Sequence, residues 1–165
     1  MSLSGQLRRL GIETSGANVQ ILRNSIARNQ IAHPGRVFYV MPSTGSDVRS
    51  GLTPDLALKT LYEAHDRCTV NENDIVVLIG EGNSATLATD RQSATLVWSK
   101  DHTHLIGLNA GPRFSYRSRI GFVSTYVTAA HLFTLSANGC VLSGIEMFAG
   151  VADDNPTGCL KITGM

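Results

Sequence analysis

The chain has 165 residues, enough to bury a real core, with 42% hydrophobic residues and 16% charged ones against about 25% in average globular chains. A net charge of +1 excludes a general polyanion binder, and no apolar run approaches the ~18 residues of a membrane span, so neither a membrane nor a specific nucleic acid is an expected partner. Cys68, Cys140 and Cys159 stand at no metal-ligand spacing and fit synthesis in a reducing cytoplasm, each thiol serving as a small core residue.

Residues 1–34 read as a separate arm. Arg8, Arg9, Arg23, Arg28 and the adjoining Arg36 face only Glu13, so this basic tract precedes a mildly acidic body. Leu3, Leu7 and Leu10 are spaced for a short amphipathic turn. After Ser15-Gly16, Val19, Leu22 and Ile26 recur at helical spacing along ANVQILRNSIARNQ (17–30), and His33-Pro34-Gly35 closes the segment. A helix this short and polar needs a partner surface, either on its own domain or on another molecule.

Val37, Tyr39 and Met41 alternate with Phe38 and Val40, a strand apolar on both faces and therefore covered on both. Pro42 to Gly51 is turn chemistry, with Gly45 and Gly51 able to take positive φ and Asp47 able to bond its own backbone. Such loops can suggest calcium, but no further acids stand at ligand spacing, and no metal or other cofactor is expected. Thr53-Pro54-Asp55 predicts a helix start, with Thr53 as cap and Ala57, Leu58, Leu61, Ala64 and Cys68 on one stripe.

From Asp74 onward strand runs follow one another: 74–80, 94–99, 103–109, 119–127, 131–137, 140–148 and 159–164, several ending in Gly or Asn. Leu-Ile-Gly at 78–80 returns at 105–107, with looser echoes at Leu142-Ser143-Gly144 and Ile162-Thr163-Gly164. With no second helical crossover, a doubly wound α/β fold is disfavoured. A sandwich of hairpins remains an alternative.

Residues 35–82, a strand, a Gly/Asp/Ser turn, a capped helix and an apolar strand closed by Gly80 and Gly82, resemble the opening segment of pectate-lyase-like right-handed parallel β-helix proteins of bacteriophage virions, of tailspike and head-decoration type. LFTLSANGCVLSGIEMFAG (132–150) looks like a rung of that family. The resemblance implies a mainly β fold, a short solenoid over 35–165 whose open end is capped by the helix, and a homotrimer. Solenoids need capped ends, and Met165 directly follows a strand, so either the chain continues or another subunit covers that end.

Chemistry finds little purchase. Glycoside hydrolysis needs two carboxylates on a shared groove, and Glu72, Asp74, Glu81, Asp90, Asp101, Glu146, Asp153 and Asp154 show no one-rung pairing. Arg113, Arg117 and Arg119 lack the acid cluster of a lyase and suit a solvated or partner-facing loop. His102 and His104 at i, i+2 would share a face on a strand, with His65 or His131 as a third ligand, but nothing fixes that set. Trp98 and Tyr116 are candidates to stack on sugars, although Trp98 suits packing better, and Ser124 and Ser143 lack a nucleophile turn.

The expectation is therefore a non-enzymatic structural protein of a bacteriophage particle, a capsid-decoration, head-fibre or tail component made in the host cytoplasm and located in the virion. Its partners are other virion proteins, bound through Arg8, Arg9, Val19, Leu22, Arg23, Ile26 and Arg28. The competing expectation is the N-terminal part of a tailspike-like protein that binds or depolymerises a surface glycan, with Glu81, Asp101 or Glu146 as its acids.

Overall fold

A computed structural model describes residues 35–80, 89–92, 94–109, 118–122, 130–148 and 158–163. They are mainly strand, with a single α-helix. The strands are β1 (Val37–Val40), β2 (Ile75–Gly80), β3 (Thr89–Gln92), β4 (Leu96–Trp98), β5 (His104–Asn109), β6 (Arg119–Phe122), β7 (His131–Leu135), β8 (Leu142–Ser143), β9 (Glu146–Phe148) and β10 (Gly158–Ile162). Helix α1 spans Leu61–Arg67.

The strands form three parallel sheets, β1-β2-β5-β8, β3-β6-β9 and β4-β7-β10. Beyond β1, the chain takes the sheets in a fixed order, one strand in each, and then returns to the first. Each strand meets its neighbour about 27 to 38 residues later, as in Arg119↔Glu146 and Val37↔Ile75. Every described ladder is parallel, so the alternative of a hairpin sandwich does not fit these strands.

Register builds the interior in columns. Phe38, Val76, Leu105 and Leu142 follow one another across the first sheet, and Leu96, Phe133 and Leu160 across another. Trp98, Phe122, Phe133, Leu78 and Leu58 are fully buried among them. Trp98 stacks on Phe133 at 5.9 Å between ring centres and donates its indole N–H to the Thr103 carbonyl at 3.3 Å, so it is a core residue. Helix α1 packs Leu61 and Ala64 into one side of this cluster, joined by Cys68 at its C-cap. At the β10 end cover thins: Leu160 is 44% exposed and Ile162 66% exposed, in the columns that begin with Leu96 and Trp98.

The helix differs from expectation. Pro54–Leu56 is only a 3₁₀ turn and Thr53 makes no side-chain cap. Leu58 instead pairs beside β1, donating to the Tyr39 carbonyl and accepting from the Met41 N–H, both at 2.8 Å. That pairing overrides the local helix signal, and the α-helix starts at Thr60, whose hydroxyl accepts the Glu63 N–H at 3.2 Å. Glu63 does not complete a capping box but pairs with Arg67 at 2.6 Å.

Two further corrections concern the repeats. Leu78 is in register with Gly107, not Leu105, so the Leu-Ile-Gly echo is offset by two residues, which preserves the face and conceals the slip. Leu105 and Ile106 do match Leu142 and Ser143, while Ile162 belongs to another sheet, against Leu135. The run 140–148 is two strands, broken where Gly144 takes φ +67°.

Candidate functional site

The arm residues expected to bind a partner, Arg8, Arg9, Val19, Leu22, Arg23, Ile26 and Arg28, lie outside the described residues. The arm's root does not. Asp74 is completely buried, and one of its oxygens accepts the Arg36 N–H at 2.6 Å. The other accepts the Thr69 N–H at 2.8 Å and the Arg36 guanidinium at 3.0 Å. The same guanidinium reaches the Arg67 carbonyl and Thr69 Oγ1, and lies 5.0 Å from the Phe38 ring centre. Gly35 N–H donates to the Asn73 carbonyl at 2.9 Å.

Beyond β1 the loop from Pro42 to Thr60 is braced from inside. Asp47 Oδ1 accepts the N–H groups of Lys59 at 2.8 Å and Thr60 at 2.9 Å, and its Oδ2 accepts the Thr60 hydroxyl at 3.1 Å. Arg67 reaches across from α1 to the carbonyls of Asp47, at 2.7 Å, and Arg49. Gly51, at φ +73°, tucks against Leu58, where a Cβ would come within 2.8 Å of that side chain. The result is a fixed loop that presents Val48, 93% exposed, together with exposed Leu52 and Leu56. The sequence reading covered Pro42 to Gly51 only as turn chemistry and did not single out Val48, Leu52 or Leu56.

Several of the groups weighed for catalysis or metal binding have partners within the fold. Asp101 accepts the Asn138 N–H at 2.7 Å, and Glu146 pairs with Arg119 at 2.8 Å on adjacent strands. Arg119 therefore belongs to a strand and not to a solvated loop. Glu81, Asp153, Asp154, Arg113, Arg117, Tyr116 and Ser124 lie outside the described residues, as does the side chain of Asp90. Among the described residues no group of three His, Cys, Asp or Glu is placed to hold a metal ion.

His102 and His104 do not share a strand face. His102 sits in the preceding turn at φ +55°, its Nδ1 2.9 Å from Asn71 Oδ1, whereas His104 is buried and accepts the Val141 N–H on Nδ1 at 3.1 Å. Burial, with His102 adding to it, pulls the His104 imidazole down to about 4. His65 is likewise pulled to about 4 by burial and by Lys100, and its Nε2 accepts the Ser99 N–H at 3.2 Å while the ring lies 4.6 Å from Trp98. Both rings act as neutral acceptors inside the fold.

Burial raises the Cys68 thiol to about 12, an inert core group; Cys140 is half-buried and packs against the same core, while Cys159 is half-buried and not part of it. Ser143 is exposed on β8. No helix among the described residues is long and apolar enough to cross a membrane.

Comparison with protein-family models, with curated proteins and with solved structures returns no match.

Proposed function

We propose that this chain is a short parallel β-helix serving as a non-enzymatic structural component of a bacteriophage particle, held to neighbouring virion proteins and displaying its β body. The fixed cyclic order of strands through three parallel sheets supports the winding, and α1 supplies the end cap that a solenoid requires. The observation that carries the role is the braced loop: Asp47 and Arg67 are spent on holding a backbone whose exposed side chains are Val48, Leu52 and Leu56. Meanwhile Asp74, Asp101 and Glu146 are engaged with neighbouring groups of the fold.

In this reading the arginines of the arm pair with acidic groups on the shell or on adjoining subunits of a homotrimer, and the loop supplies a desolvated apolar contact. The test is incorporation into particles. Val48→Asp with Leu52→Asp is expected to lower incorporation at least tenfold while leaving the circular dichroism spectrum unchanged. Arg23→Glu with Arg28→Glu is expected to do so in a salt-dependent way. Normal incorporation of both variants, or glycan depolymerisation by the protein lost on Asp101→Asn or Glu146→Gln, would replace this reading with the carbohydrate-active one.

A further inference from the structure

The corner between β7 and β8 carries the one Asn-Gly pair of the sequence, Asn138-Gly139. Three turns stack there. Asn71 donates its N–H to the Asp101 carbonyl and His102 donates to the Asn138 carbonyl, both at 2.9 Å. In the column that results, Asn71, His102 and Gly139 all take the left-handed backbone conformation, at φ +66°, +55° and +65°. Gly139 has a second reason to be glycine, since a Cβ there would come within 2.6 Å of the His102 ring. The fold thus demands glycine directly after an exposed asparagine.

That pairing carries its own chemistry. The side-chain carbonyl carbon of an asparagine, Cγ, and the next backbone nitrogen can close a five-membered ring, and glycine sets no side chain in the way. The local bonds leave the route open. The Gly139 N–H makes no hydrogen bond to the described residues. The side-chain amide of Asn138 is held by one contact, Nδ2 to Asp101 Oδ1 at 3.5 Å, at the limit of a hydrogen bond. The His102 N–H on the Asn138 carbonyl draws electron density from the 138–139 peptide group, which eases loss of the Gly139 amide proton. Asn71 and Asn73 differ. They precede Glu72 and Asp74, and their Oδ1 atoms face His102 Nδ1 at 2.9 Å and His104 Nε2 at 3.5 Å.

We propose that Asn138 is a site of spontaneous deamidation whose products loosen β8. The Gly139 nitrogen gives up its proton, and its lone pair forms a bond to Asn138 Cγ. The Cγ–Nδ2 bond breaks and ammonia leaves, taking up that proton, so that a succinimide remains. Water then opens the ring. Breaking the bond from nitrogen to Cγ gives aspartate, and breaking the bond to the main-chain carbonyl carbon gives isoaspartate, with one extra carbon in the backbone. Aspartate sets a carboxylate against Asp101 in place of the amide, a like-charge contact. Isoaspartate lengthens the path to Cys140 and takes the carbonyl that bonds His102 out of the main chain. Just beyond, the Val141 carbonyl accepts the Leu105 N–H at 2.9 Å, and the Val141 N–H donates to His104 Nδ1 at 3.1 Å. Strand β8 is only two residues long, so little else keeps its register on β5 once the corner shifts. The proposal does not rest on the virion reading, because it concerns bonds within this chain.

Ageing the full-length protein in mildly alkaline buffer, followed by peptide mapping with mass spectrometry, tests the site. Deamidation is expected severalfold faster at Asn138 than at Asn71 or Asn73, and faster as pH rises, because the attacking nitrogen must be deprotonated. Isoaspartate at position 138, read by isoaspartate-specific enzymatic methylation, is the expected main product, and Asn138→Gln is expected to abolish it. A rate at Asn138 no higher than at Asn71 and Asn73 would overturn the proposal, since the fold would then protect the corner. Hydrogen exchange tests the consequence. In aged protein the Leu142 and Ser143 amides are expected to exchange severalfold faster than in fresh protein, with β2 unchanged, and aged Asn138→Gln is expected to keep the fresh pattern. Isoaspartate at position 138 with unaltered exchange in β8 would overturn the loosening.

Discussion

At the level of single residues, the ionisable groups of the body act as structural ties. Asp74 is the clearest, a buried carboxylate satisfied by two backbone N–H groups and one guanidinium. Asp74→Ala leaves those donors unpaired and is expected to cost about 2–4 kcal/mol in urea unfolding. Arg36→Ala should cost less, since its side chain is half exposed and the two backbone donors remain.

The two neutral histidines set an acid limit. Their folded values of about 4 lie below the ~6.5 of an unfolded histidine, so the unfolded chain takes up protons first as pH falls. The stabilisation is complete above pH ~6.5 and is lost progressively down to about 4. The urea midpoint of the parent protein should therefore drop across that window, and the slope should flatten in the double variant His65→Gln, His104→Gln. Neither ring was legible as an acceptor in the sequence, because the partner N–H groups of Ser99 and Val141 lie far along the chain.

At the level of elements, strand stacking demands space at particular backbone positions. A Cβ on Gly107 would fall 1.9 Å from the Gly144 carbonyl oxygen, so Gly107→Ala must push β5 and β8 apart. Its expected cost is about 3 kcal/mol or more. Gly158→Ala, whose Cβ would meet only the His131 ring at 3.6 Å, is the control and should unfold at nearly the parent midpoint. Thr60→Ala, removing the α1 cap, should cost about 1 kcal/mol.

The apolar runs of β2, β4, β5 and β7 were readable because alternation and continuous hydrophobicity are local signals. Strand β3, Thr-Asp-Arg-Gln, carries no such signal and exists through its pairing with β6. The helix start was misplaced for the same reason: Pro54 and Asp55 are good local cues, and the bridge of Leu58 to Val40 is a tertiary one.

For the whole molecule, the gradient of cover along the interior columns implies a gradient of local stability. Amide exchange should be slowest in β2, sandwiched between β1 and β5, and fastest in β10, where Leu160 and Ile162 meet solvent. Ile162→Lys should change stability by less than about 0.5 kcal/mol, whereas Phe133→Ala, at the centre of the Leu96–Leu160 column, should cost about 3–5 kcal/mol. The mainly β class and the parallel order follow from features spread over the chain. The braced loop does not, because the fixed course of the chain around Val48, Leu52 and Leu56 depends on bonds from Asp47 and Arg67 that no local pattern announces.

The junction at Gly35 and Arg36 has a mechanical meaning. Five hydrogen bonds from these two residues to Arg67, Thr69, Asn73 and Asp74 tie them into the described body. A grip on Gly35 and Arg36 themselves would work as a clamp and not as a leash. Torque applied there passes directly into β1 and the turn before β2, so orientation, and not only attachment, is transmitted to the body.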